Sequence, residues 1–197
     1  MISEILIAPF IIGMGHSIET DHVLTVGNLV NFQKSNYLNE AMRGASWGLG
    51  HTVSVIVAAI VWINLKNSSL ISTGFSLEIL AGFLLVYVGI MKVYKFLNQT
   101  YPTKENRKTD FFHIGLVHGL AGSGTVAILL TGQKTGIWDQ LSFLFLFGTG
   151  TIIGMSIIAG LITKFRKLSP GYLNILSCSM ALMSIAYGIN IIINQIS

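Results

Sequence analysis

The sequence predicts an all-α integral membrane protein whose six transmembrane helices form a 3+3 inverted repeat. Three observations carry that expectation. Of 197 residues, 52% are hydrophobic and only 10% charged, against about a quarter charged in soluble domains. The mean hydropathy is +0.68. Six apolar windows of about 20 residues, the length that crosses a bilayer, alternate with polar breaks. Finally, motifs in the first half recur in the second at nearly constant spacing.

The first window, Ile5 to Val30, holds "GMGHSIETDH" at positions 13 to 22. Ile5 to Ile12 alone is too short to span, so the polar motif belongs inside the helix rather than in a loop. The amino terminus has Glu4, no basic flank and no small-residue cleavage site before the motif, so this helix is expected to be retained rather than removed as a signal peptide. The second window, Ala45 to Leu65, contains "GLGH" at 48–51, and the third runs from Phe75 to Leu97. The break from Asn98 to Asp110, with "TYPTKENRKTD", is the longest and divides the chain. Phe111 to Thr131, Trp138 to Thr163 and Tyr172 to Ile193 complete the set. The chain is thus one membrane domain, 1–197, with repeat one over about 1–98, a cytoplasmic loop over about 99–110 and repeat two over about 111–197.

Lys34, Arg43, Lys92, Lys95, Lys104, Arg107, Lys108, Lys164, Arg166 and Lys167 fall in or beside loops one, three and five. Only Lys66 and Lys134 fall on the other side. The positive-inside rule then places both termini outside the cytoplasm, in a multi-pass protein of the cell membrane. The net charge of +4 and pI near 9.3 describe this topology. No run of Lys and Arg interleaved with aromatics points to nucleic acid.

"GMGH" at 13–16 matches "GLVH" at 115–118, "GLGH" at 48–51 matches "GTGT" at 148–151, and "VGI" at 88–90 matches "YGI" at 187–189. The offsets are 102, 100 and 99. A unit with three helices must re-enter the membrane from the opposite face, so the second copy is inverted. In such proteins a substrate site forms at the repeat interface.

All five histidines, His16, His22, His51, His113 and His118, fall within proposed helices. A single intramembrane histidine is more often a helix-to-helix hydrogen-bond partner than a ligand, but five with Glu19 and Asp21 point to a site. Imidazole and carboxylate together suit divalent ions of intermediate hardness, such as Ni, Co, Zn, Fe or Mn. At 100° per residue Glu19 and His22 lie within about 120° of His16, whereas Asp21 points elsewhere. Either the helix unwinds locally, which Gly13 and Gly15 would permit, or Asp21 orients a histidine from behind. Counting rise along the helices puts His16, His51 and His118 near mid-depth and His22 and His113 nearer the cytoplasmic end. The expected centre comprises His16, Glu19, His22 and His51, with Asp21 as ligand or support and His118 facing it from the second repeat. His113 is a secondary exit or relay position.

"HSIETDH" resembles the signature R-H-A-x-D-A-D-H-I of the nickel/cobalt transporter family, and "LGHTVSV" at 49–55 resembles its following G-H-S-T-V-V motif. "HGLAGSG" at 118–124 is similar to the small six-helix branch, the urease-accessory and hydrogenase-accessory permeases. Gly15 stands where the signature has arginine and Glu19 where it has aspartate; six helices replace eight. The resemblance implies a secondary transporter of Ni2+ or Co2+ with His16, Glu19, Asp21, His22 and His51 at the metal. It implies no permanently bound cofactor. The expected partners are the metal ion, the bilayer and either a second copy of the chain or metalloenzyme-maturation proteins.

Enzyme classes fit poorly. Cys178 is the sole cysteine, which excludes an intramembrane thiol relay. "GLAGSGTV" at 119–126 lacks the lysine of a phosphate loop and follows no strand. Ser123 within it has no histidine base in the last helix, as an intramembrane serine protease would require. A non-transporting metal sensor or accessory subunit is the remaining alternative, and the internal duplication weighs against it.

Overall fold

A computed structural model describes residues 2–30, 36–65, 78–98, 108–131, 136–167 and 170–196. Its elements are helices: α1 (Ile2–His16), α2 (Thr20–Leu29), α3 (Tyr37–Leu65), α4 (Glu78–Leu97), α5 (Lys108–Thr131), α6 (Ile137–Ile162) and α7 (Pro170–Ile196), with a 3-10 turn at Thr163–Lys167. No strand occurs among the described residues. Four stretches, Tyr37–Val61, Ile79–Leu97, Trp138–Phe165 and Gly171–Gln195, are long and apolar enough to cross a membrane. The described elements are therefore all helical, and four of the helices suit a membrane protein.

The first apolar window is two helices. After His16 the backbone tightens, with the N–H of Ile18 bonding Gly15 O at 3.0 Å and that of Glu19 bonding His16 O at 3.1 Å. Ser17 Oγ donates to Met14 O at 2.6 Å, so its hydroxyl satisfies a carbonyl that the ending helix leaves without a partner. α2 then starts at Thr20. Other boundaries also move. α3 begins eight residues before the expected Ala45 and carries a buried Glu40–Arg43 ion pair, so Arg43 is a helix residue rather than a loop charge. α5 begins at Lys108, inside the expected loop. Lys34, Lys66, Lys104, Arg107 and Lys134, and the Ser123 side chain, lie outside what is described.

α1, α6, α3 and α5 pack side by side in that order, while α4 and α7 pair with each other and meet the row through α2 and α5. Glycines set these contacts, because a Cβ would strike a neighbouring backbone. Gly13 of α1 lies on the Phe147 carbonyl of α6, and Gly115 of α5 lies on the Trp47 carbonyl of α3. Gly150 abuts Phe10 O and Met14 N, and Gly50 abuts Phe112 O and Leu116 N. In the other pair, Gly89 faces Ala181 O and Gly188 faces Gly82 O. Each contact has a counterpart displaced by the motif offsets of the sequence. Small residues allow such close approach where lipid gives no hydrophobic drive for helix association.

Two apolar layers flank the middle of the row. One contains Val26, Val30, Trp47, Phe111, Met155, Ala159, Ile162 and Leu173. The other contains Val55, Ala59, Leu144 and Phe147. His51, between Trp47 and Val55 on α3, falls at the level between them.

Candidate metal centre

The break after α1 decides which way the motif's side chains face. With Ser17 to Glu19 out of helical register, His16 at the end of α1 and His22 in the first turns of α2 meet with ring centroids 4.4 Å apart. His51 from α3 joins them, 5.3 Å from His16 and 5.1 Å from His22. His22 and His51 are each about 1% exposed. One ligand atom from each of His16, His22 and His51 lies within 4.8 Å of the others. Asp21, His22 and His118 form a second such group, so His22 is common to both.

The carboxylates determine which ring nitrogens are available. Asp21 Oδ1 accepts from His22 Nδ1 at 2.8 Å and from the His22 backbone N–H at 2.9 Å. Its Oδ2 accepts from His118 Nε2 at 3.0 Å. Because an ionised carboxylate only accepts, His22 carries its proton on Nδ1 and presents a lone pair at Nε2. That Nε2 faces His51 Nε2 at 3.3 Å. Two nitrogens bound tetrahedrally at 2.0–2.1 Å stand about 3.3 Å apart. Glu19 Oε1 likewise takes the Nδ1–H of His16 at 2.8 Å, leaving His16 Nε2 buried without a hydrogen-bond partner. His51 Nδ1 is also buried without one. Carboxylate–histidine pairs of this kind fix tautomer and orientation in metal sites.

No family model matches the sequence, and no solved structure does. One curated protein does: the urease accessory protein UreH of Bacillus sp. (strain TB-90) is 31% identical over 168 residues, covering 77% of this chain and 73% of that one. The chain belongs to the UreH family of urease accessory proteins. An accessory protein serves an enzyme without being one, in agreement with the non-enzymatic reading of the sequence.

Within this UreH-family chain the expected residues divide. His16, His22, His51, His118 and Asp21 come together. Glu19 sits outside both ligand groups, its side chain 56% exposed, behind His16. His22 meets His16, His51 and His118 in one cluster, because the helix break interrupts the uniform rise that would separate it from His16. His113 is exposed, against Phe112, and touches no other histidine. The second nitrogen of His118, Nδ1, accepts from Thr25 Oγ1 at 3.4 Å.

Sequence reasoning missed three contributors. Trp47 lies flat on His51, with centroids 5.2 Å apart and planes 20° apart, and also touches His22 and His118. Phe147 touches His16 at 5.2 Å. Thr25 is fully buried beside His118. Trp47 precedes His51 by one helical turn, a spacing that puts both on one face; it was a readable signal. Phe147 and Thr25 carried none beyond apolar and small-polar character.

Proposed function

We propose that this protein is a secondary transporter that moves a divalent transition-metal ion, Ni2+ before Co2+, across the cell membrane through the histidine cluster. The observation that carries the reading is the meeting of His16 with the buried His22 and His51, with Nδ1 of the first two held by carboxylates and Nε2 of His22 and His51 3.3 Å apart. Membership among urease accessory proteins favours nickel, the metal of urease. In this reading His16, His22 and His51 ligate the ion. Asp21 is a further ligand or the support of His22 and His118, and Glu19 supports His16. Imidazole is a borderline donor, suited to nickel and cobalt.

The proposal includes one membrane domain over 1–197, six spans, and an inverted repeat of three helices each. α1 with α2 acts as one interrupted span. The paired glycine contacts support the repeat, since Gly13 on Phe147 and Gly115 on Trp47 are one contact made twice. A broken helix whose polar turn meets the other repeat at mid-depth is the usual place for a transported ion. The charge asymmetry puts both termini outside the cytoplasm.

Metal-dependent counterflow in proteoliposomes, comparing Ni, Co, Mn, Fe and Zn, tests this. Saturable nickel or cobalt exchange is expected. Binding without flux would replace the transporter with a metal-holding accessory subunit.

A further inference from the structure

Trp47 and Phe147 occupy corresponding places in the two halves, one carbonyl under Gly115 and the other under Gly13. α3 and α6 run antiparallel, with Gly48 against Ile152 and Gly148 against Thr52, so their crossing is centred on Gly50 and Gly150. Each aromatic is three residues from that centre, or about 4.5 Å at the helical rise. Trp47 is displaced toward the start of α3 and Phe147 toward the start of α6, hence to opposite sides.

The histidine rings fill the space between. Trp47 covers His22, His51 and His118 from one side, and Phe147 covers His16 from the other. Each aromatic belongs to a different apolar layer, Trp47 with Val26, Val30, Phe111 and Met155, and Phe147 with Val55, Ala59 and Leu144. Both are buried. The glycine seated on each carbonyl leaves the backbone no room, so the side chain is the part that can swing. The Trp47 indole N–H is buried without an acceptor, and a donor in that condition gains a partner when the ring leaves its seat.

We infer that Trp47 and Phe147 are paired closures of the metal site, Trp47 sealing its cytoplasmic side and Phe147 its extracytoplasmic side. The inference rests on the permease reading and adds the residues that separate the ion from each aqueous phase. A dehydrated ion leaving the histidines along the bundle passes one ring or the other, and rocking of inverted repeats displaces one at a time.

The test uses right-side-out and inside-out membrane vesicles carrying the full chain, with radioactive nickel bound to the protein and the unbound metal removed, then exposed to an impermeant chelator in the bath. Trp47→Ala should speed release by about tenfold in inside-out vesicles and leave right-side-out vesicles near wild type, the rate equivalent of one lost aromatic contact. Phe147→Ala should do the reverse, and Trp47→Phe should stay close to wild type. Unchanged release from variants that still bind nickel would overturn the closures. So would acceleration on the same side by both variants, or loss of binding in Trp47→Ala, Trp47→Phe and Phe147→Leu alike, which would make the rings part of the ligand scaffold. Wild-type vesicles that bind no nickel would sink the permease reading itself, and the closures with it.

Discussion

Asp21 holds three donors at once, the His22 backbone N–H, His22 Nδ1 and His118 Nε2. A carboxylate at mid-membrane costs on the order of 3 kcal/mol on insertion scales, and these three bonds offset it. Asp21→Asn would replace an acceptor-only group with one that also donates, and either His22 or His118 would lose its orientation. Nickel affinity, measured by titration of the purified protein, should fall by about 10- to 100-fold, the usual effect of losing a ligand's support. His16→Ala or His51→Ala should abolish saturable transport while the protein still reaches the membrane; His113→Ala should do much less, since His113 touches none of the cluster. Protons compete with the metal for the imidazole lone pairs, so nickel affinity should fall as the pH is lowered. Affinity that does not respond to pH would show that the imidazoles do not hold the ion.

Among the elements, α1 and α2 illustrate how a three-residue interruption reassigns a motif. A continuous helix would direct Asp21 away from His16 and His22. The turn at Ser17–Glu19 instead lets Asp21 sit behind His22 and reach across to α5. The glycines of α3 and α5 do comparable work by bringing His51 and His118 against that turn. Gly50 and Gly115 each lie on the backbone of the other helix of that pair. Gly115→Val should therefore push α5 from α3 and destabilise the fold by about 1–3 kcal/mol, the ordinary cost of overpacking. Thermal melting in detergent would show it, and nickel binding should weaken in parallel because His118 moves with α5.

At the scale of the whole molecule the two apolar layers separate the histidines from either end of the row, and topology determines which layer faces the cytoplasm. A reporter fused after Ser197 should be extracytoplasmic, and one inserted near Lys104 cytoplasmic. The reverse result would overturn the orientation drawn from the charge asymmetry, and both reporters on one side would overturn the six-span count, because three crossings separate the two positions.

Membrane class was legible in the sequence because it depends on composition, which needs no contacts: only 10% of the residues are charged, far below the share of a soluble domain. That most of the histidines would gather was legible too, because an ionisable residue in lipid is costly wherever it points. Boundaries were less so. The buried Glu40–Arg43 pair hid the start of α3, since two charges that neutralise each other read as loop in a hydropathy window. The division of roles between Glu19 and Asp21 was beyond the sequence, which gives two carboxylates two residues apart and no sense of which faces His118. Trp47 and Phe147 were invisible as a pair for the same reason. An aromatic at either position is ordinary membrane sequence, and only the packing of four helices on glycine contacts places one ring at each side of the histidines.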